Sequence, residues 1–178
     1  MCLLLNMEEI KQYNILILGD YGVGKTFFIN KLNEIKKFSD TKKYKFSGVN
    51  CINFCNDKIN GAIIMFSYES HYSYKHIEFY HKKLVKVYGN IPIIICGNTF
   101  SKTENKLSQE MITYHIENNL KYFEISNNEE IIMRYLCNQI DNKLFFDNLQ
   151  NYMNKFVETK DKEISELTSK IDLIKKLI

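Results

Sequence analysis

The fold of this chain is decided by the stretch Gly19-Asp20-Tyr21-Gly22-Val23-Gly24-Lys25-Thr26. The stretch satisfies the pattern G-x-x-x-x-G-K-[ST], in which glycines let the main chain curl so that successive N–H groups point at phosphate oxygens. Residues 13–18 before it form an apolar run typical of a buried strand, and residues 27–35 after it place apolar side chains along one helix face. The strand and the helix are the context that this pattern requires.

The last two residues of the stretch carry the groups that a bound polyphosphate needs. Lys25 offers a flexible point charge for the outer phosphates, and the Thr26 hydroxyl is an oxygen ligand of the type that Mg²⁺ prefers. The amino end of the following helix adds the positive end of its dipole. We therefore predict that residues 19–26 bind the phosphates of a nucleotide, with an ordinary glycine turn as the alternative.

Apolar strands and amphipathic helices alternate along the following residues. We predict strands at 49–55, 62–66, 91–96 and 120–125, helices at 71–88, 108–118 and 129–140, and a lysine-rich loop at 36–47. Continuous apolar strands separated by amphipathic helices are typical of a parallel sheet covered on both faces. The sequence therefore predicts an α/β fold with a doubly wound, mostly parallel sheet.

The segment after residue 140 carries no strand pattern. Apolar residues there step by three and four, as in a coiled-coil seam, at Ile164, Leu167, Ile171, Ile174 and Ile178. Lys160 falls on the same seam and limits its length. We predict a domain at 1–140 and an amphipathic helical extension at 141–178. Two interpretations stay open for the extension: a surface helix folded against its own domain, or a homodimer contact through residues 157–178.

Composition narrows the classes of function. The 24 lysine and arginine residues exceed the 21 acidic residues by three, which is too few to indicate binding to nucleic acid. No apolar run is long enough to span a membrane, and the chain carries no lipidation signal, so we expect no membrane anchor. Five cysteines without a C-x-x-C pair indicate buried thiols in a reducing compartment, the cytoplasm, the nucleus or both.

With these patterns in place, the chain resembles the small GTPases of the Ras superfamily and, among their branches, most resembles Ran. The likeness is carried by the phosphate-binding stretch and by AIIMF at 62–66, NIPI at 90–93 and CGN at 96–98, and it extends roughly over residues 13–140. It implies the P-loop NTPase fold, GTP or GDP with Mg²⁺ as ligands, and a role in nucleocytoplasmic transport or signalling. Transport-type or regulatory proteins are the implied partners.

Departures from the family pattern fall in the switch region. Only residues 27–61 separate Thr26 from the strand predicted at 62–66, so one strand or the whole second switch is missing. Asp57 is the acid nearest to the expected position, and no glutamine lies between Gln12 and Gln109 to orient a water. Because Arg134 is the single arginine, none is available in cis, and we expect little or no GTP hydrolysis.

Two further residues bear on the outer phosphate. The resemblance implies glycine where this chain has Tyr21, so we expect the phenol to crowd the attacking water. Ser47, before Gly48, is a candidate for the switch residue that contacts Mg²⁺, which makes Thr26, Ser47 and Asp57 the candidate metal ligands. A plain loop hydroxyl is the alternative for Ser47.

The base site is altered as well. The family motif Asn-Lys-x-Asp corresponds to Asn98, Thr99, Phe100 and Ser101. Because a serine replaces the carboxylate that accepts two hydrogen bonds from guanine, the loss is on the order of 1.5–3 kcal/mol. Ser126 and Asn127 correspond to the last base-contacting motif, with polar loop filling as the alternative. We expect guanine specificity to be weakened, and a non-enzymatic interaction module is the competing function.

Overall fold

The computed structural model describes residues 11–35, 42–49, 58–99, 106–126 and 128–175. Contacts within the chain divide it into two compact units, residues 1–140 and residues 141–178. Among the described residues, all strands lie in the first unit, and residues 141–175 of the second unit are helical.

Strands and helices alternate along the first unit. In order they are β1 (Lys11–Leu18), α1 (Lys25–Glu34), β2 (Lys42–Val49), β3 (Gly61–Ser67), α2 (His71–Tyr88), β4 (Ile93–Asn98), α3 (Tyr114–Glu117), β5 (Lys121–Ile125) and α4 (Glu129–Lys175). A single 3₁₀ turn, Gln109–Met111, precedes α3.

The five strands form one sheet in the order β2-β1-β3-β4-β5, and each neighbouring pair is parallel. All residues of the central strand β3 are buried, which agrees with its uninterrupted apolar sequence. Helix α2 covers one face, where Leu84 and Ile77 join the same core cluster as Ile64. On the other face a Cβ at Gly61 would lie 2.9 Å from Cδ1 of Ile140 at the end of the first turns of α4. The predicted doubly wound α/β fold is confirmed.

Two predicted elements are wrong in part. Residues 42–47, predicted as a loop, form most of β2, because lysines alternate there with aromatic residues at the period of a strand. Lysines are common on exposed edge strands, and β2 lies at one end of the strand order. The helix predicted at 108–118 is divided, since β-branched Ile112 and Thr113 separate the 3₁₀ turn from α3.

Other predictions lie outside the described residues. These are the last seam position, Ile178, and the strand predicted at 49–55 except for Val49, which ends β2. The described part of the second unit, residues 141–175, is helical throughout and belongs to α4. All side chains from 145 to 175 are exposed, and within the described ranges no helix is long and apolar enough to cross a membrane.

Candidate nucleotide-binding site

The site lies at the carboxyl edge of the sheet. Strand β1 has β2 on one side and β3 on the other, so the strand order reverses at the end of β1. Ligands of open parallel sheets bind outside the carboxyl ends of the strands at such a point. The phosphate-binding stretch follows β1, Asn98 ends β4 and Ser126 follows β5. The topology therefore brings the described candidates of both predicted subsites to the same edge.

Glycines shape the turn between β1 and α1. Gly22 and Gly24 have φ angles of +82° and +93°, in the left-handed region that glycine adopts without a steric penalty. The first helical hydrogen bond of α1 runs from the Phe28 N–H to the Gly24 carbonyl at 2.9 Å. The loop therefore leads directly into the amino end of a helix, as the pattern predicts.

The main-chain amides of residues 20–24 are the second feature of the loop. Within the described part of the chain, no protein group accepts a hydrogen bond from the N–H of residues 20–24. The N-cap residue of α1 is Gly24, and among the described residues no side chain caps the amino end of this helix. Unpaired amides at a helix amino end carry a partial positive charge and suit an anion. The turn can therefore accommodate a ligand with several anionic oxygens.

Lys25 is the cation of the site. Its side chain is only 6% exposed, and its Nζ donates to the carbonyl oxygens of Gly19 at 2.9 Å and Asp20 at 2.6 Å. A buried ammonium requires such acceptors, because burying an unpaired charge costs several kcal/mol. The ammonium is thereby held against the loop whose amides have no acceptor among the described residues.

Asp20 joins the loop to helix α2. Nδ1 of His76 lies 2.7 Å from one carboxylate oxygen of Asp20, and the Tyr80 hydroxyl donates to the other at 2.7 Å. Sequence reasoning missed both partners. The i, i+4 spacing of His76 and Tyr80 shows that they share a helix face, but only the fold reveals which residue that face meets.

Asn98 links the two predicted subsites. Its side chain is buried, and its Nδ2 donates to the carbonyl oxygen of Val23 at 3.1 Å. The main-chain carbonyl oxygen of Asn98 accepts a hydrogen bond from the N–H of Tyr68 at 2.9 Å. Asn98 therefore fixes the phosphate-binding loop, a task that the sequence did not indicate, and its contact with a base stays a prediction.

The remaining base candidates are less defined. Thr99 is half-buried after β4, whereas Ser126 is exposed and its hydroxyl accepts from Nδ2 of Asn128 at 3.4 Å. Ser101 and Asn127 lie outside the described residues. Contacts of these four residues with a purine remain predictions.

The Tyr21 side chain is 91% exposed, so it does not pack over the loop. Its predicted crowding of an outer phosphate therefore receives no support from packing.

Candidate metal ligands are few. Thr26 is exposed in the first turn of α1, whereas Ser47 lies within β2 opposite Leu16 rather than in a loop. Asp57 lies outside the described residues, and the described ranges hold no cluster of three acidic, histidine or cysteine side chains able to bind a metal. Mg²⁺ often takes one or two protein ligands and completes its shell with phosphate oxygens and water, so a hydroxyl such as that of Thr26 fits this role.

Two cysteines lie within the described residues, and both are buried. Complete burial raises the pKa of the Cys96 thiol, which lies in β4, and Cys137 in α4 is also buried. A neutral buried thiol behaves as a small apolar side chain. The predicted structural role holds for these two cysteines.

A family model of the Ras family matches residues 45–136. The match covers slightly more than half of the chain and includes β3, β4 and β5. It begins after the phosphate-binding stretch at 19–26. The family match therefore rests on residues other than those of the phosphate-binding loop.

Proposed function

The chain belongs to the Ras family, and from that premise we propose that it is a small GTP-binding protein that holds GTP or GDP through residues 19–26. One observation carries the proposal. The amides of residues 20–24 have no protein acceptor among the described residues, and they adjoin the buried ammonium of Lys25. Amides and an ammonium together form a cradle for a polyphosphate.

Each residue of the cradle has a distinct task in binding. The amides donate to phosphate oxygens, and Lys25 exchanges loop carbonyls for anionic acceptors, which form stronger hydrogen bonds. Asn98 of β4 holds the loop at Val23, and His76 and Tyr80 of α2 hold it at the Asp20 carboxylate. Mg²⁺ would neutralise negative charge on the phosphates when it is bound. The Thr26 hydroxyl would be its protein ligand, and Ser47 and Asp57 are further candidate ligands.

We propose that hydrolysis of the bound GTP is slow or absent. No glutamine lies between residues 12 and 109, and the single arginine, Arg134, binds Glu130 at 2.6 Å on the surface of α4. An arginine in the active site contributes about 10³–10⁵ to the rate, and a water-orienting glutamine contributes further. An activating protein that supplies these groups would raise turnover by orders of magnitude.

The finer assignment is a Ran-like protein with weakened guanine specificity. Ser101 in place of a carboxylate and Thr99 in place of lysine support the weakened specificity. The Ran-like motifs at 62–66, 90–93 and 96–98 support a role in nucleocytoplasmic transport or signalling, with transport-type or regulatory partners. The cytoplasm, the nucleus or both are the proposed location.

Titration with a fluorescent GTP analogue, with and without Mg²⁺, tests the proposal. Lys25→Ala should weaken binding about 10- to 150-fold, because it removes hydrogen bonds between an ammonium and phosphate. Lys31→Ala is the matched control, since it removes the same charge from α1 at a residue that lies over the Phe27 ring instead. Binding that is unchanged by Lys25→Ala would overturn the proposal.

The competing function is a non-enzymatic interaction module. The observation that favours it is the row of exposed apolar side chains after residue 144. Denaturation of the purified protein followed by chromatography of the released small molecules distinguishes the two functions. Released GTP or GDP supports the proposal, whereas a nucleotide-free protein that also fails to bind the analogue supports the interaction module.

A further inference from the structure

The C-terminal unit presents large apolar side chains to solvent. Each of them is between 47% and 67% exposed, and they are Phe145, Phe146, Leu149, Tyr152, Met153, Phe156, Val157, Ile164, Leu167, Ile171, Leu173 and Ile174. Apolar surface on this scale marks an interaction site in soluble proteins. A helix gains most of its stability from packing its apolar face, so this unit needs a partner surface.

The apolar residues from 157 onward follow a heptad repeat. Val157, Ile164 and Ile171 occupy one seam position, and Leu167 and Ile174 occupy the other. Lys160 is the one polar residue of this seam within residues 157–174. A seam of β-branched residues and leucine at this spacing is typical of a coiled coil.

We propose that residues 157–174 form an antiparallel coiled coil with a second copy of this chain. The contact is independent of the nucleotide site and of the function proposed for it. Its orientation follows from the apolar layers and from the charges beside the seam.

Most seam residues face an apolar seam residue of the second copy when the two helices run in opposite directions, and each such facing pair forms one layer of the interface. In the best register Val157 faces Ile174 of the second copy, and Ile164 faces Leu167. By two-fold symmetry each layer occurs twice. Lys160 then faces Ile171, and its long stem can cover that side chain while the ammonium stays in water beside Glu163, which it binds at 2.7 Å.

The charges beside the seam agree with this register. Glu163 faces Lys170 of the second copy, again twice, so the surface is complementary to itself as a two-fold interface requires. Shifting one helix by a heptad brings together either the two Glu163 side chains or the two Lys170 side chains. The chosen register is the one without a like-charge contact.

The parallel alternative is disfavoured by charge. In a parallel pair Lys160 meets Lys160 of the second copy within the seam, and Lys170 faces Lys175 beside it. Both contacts place like charges together, which costs free energy. A chemically different partner would have no need of the self-complementary placement of Glu163 and Lys170.

Charge reversal in the full-length chain tests both the partner and the orientation. In sedimentation equilibrium, Lys170→Glu should weaken the dimer about tenfold, because the introduced carboxylate would then face Glu163. Glu163→Lys should weaken it similarly, and the double variant should restore wild-type affinity. Lys162→Glu, which makes the same charge change on the outer face of the helix, is the matched control and should have no effect. Far-ultraviolet circular dichroism checks that each variant keeps its helix.

Several outcomes would overturn the proposal. A tighter dimer with Lys170→Glu would indicate parallel helices, since the new carboxylate would then face Lys175. A chain that is monomeric at every concentration measured would exclude the contact, as would a dimer that survives Ile171→Asp. Nucleotide binding by these variants should stay at the wild-type level, so failure here leaves the proposed function standing.

Discussion

Two glycines of the phosphate-binding loop are needed for different physical reasons. Gly19 has φ +152°, and a Cβ there would lie 2.3 Å from the carbonyl oxygen of Met65. Gly22 has φ +82° but faces open space, with no heavy atom within 4 Å of a Cβ. The first position combines backbone strain with a collision, and the second has backbone strain alone.

Gly22→Ala should therefore lower the free energy of unfolding by about 1–2 kcal/mol, the cost of a left-handed conformation for an L-residue. Gly19→Ala should cost more, because the main chain of β3 cannot move aside without breaking the sheet. Urea denaturation of both variants measures the difference. Equal losses of stability would show that the close approach of Gly19 to Met65 is wrong.

The contact between Asp20 and Tyr80 gives a second prediction at this scale. Tyr80→Phe keeps the buried ring and removes one hydrogen bond to the carboxylate, so it should lower the free energy of unfolding by about 1.5–3 kcal/mol. Tyr72→Phe, on an exposed residue of the same helix, is the control and should change little. If both variants behave alike in urea denaturation, Tyr80 does not hold the loop.

The roles of individual residues were predictable only where a motif defines them. The pattern at 19–26 located the loop, its glycines and Lys25 because its spacing is fixed by the shape of a phosphate. The contacts of His76 and Tyr80 with Asp20 were not predictable, since 55 residues or more separate the partners in sequence. Such contacts depend on the packing of α2 against the sheet.

Helix α2 stabilises the fold through one buried face. Leu84 is fully buried in the core cluster, whereas its neighbour Val85 is 47% exposed. Leu84→Ala should lower the free energy of unfolding by about 2–5 kcal/mol, because it removes apolar contacts and leaves a cavity. Val85→Ala should stay within about 0.5 kcal/mol in the same measurement. A comparable loss in both variants would contradict the orientation of α2.

His81 in the same helix makes stability depend on pH. Burial lowers the pKa of His81 from its ordinary value of 6.5, and its Nδ1 lies 3.0 Å from the Tyr114 hydroxyl. The unfolded chain therefore binds a proton at higher pH than the folded chain, so the free energy of unfolding falls as the pH drops below about 6.5.

His81→Gln should make this dependence shallower in urea denaturation between about pH 7.5 and about pH 5.5. The same replacement at His71, which is exposed, is the control for the effect of the substitution itself on stability. A slope unaffected by His81→Gln would show that this residue is not the group responsible.

Helices and strands with a clear pattern of apolar residues were predictable, whereas the strand in which apolar and charged residues are mixed was not. The 18 residues of α2 form the helix that their apolar spacing predicts, and β3 is the buried strand that its uninterrupted apolar run predicts. Strand β2 was missed because its lysines resemble a solvated loop, although the alternation of lysine with aromatic residues was present in the sequence. An edge strand needs fewer apolar residues than a central one, so composition was the weaker signal.

At the scale of the whole molecule, the sequence predicted the class of fold but not the order of its strands. Alternating strands and helices predict a parallel sheet, whereas the order β2-β1-β3-β4-β5 depends on the direction in which each crossover leaves. That order brings Asn98 to the carbonyl of Val23, so it also determines the part of the site that sequence patterns left undefined.

The most direct test of polyphosphate binding by this loop is nuclear magnetic resonance of the ¹⁵N-labelled full-length chain. Addition of GDP with Mg²⁺ should shift the amide resonances of residues 20–24 in a saturable way, because these N–H groups would gain phosphate acceptors. In Lys25→Ala the same shifts should require about 10- to 150-fold more GDP, because the variant binds phosphate more weakly. Unchanged resonances at 20–24 with saturating GDP, or saturable shifts confined to other parts of the chain, would contradict the proposed site.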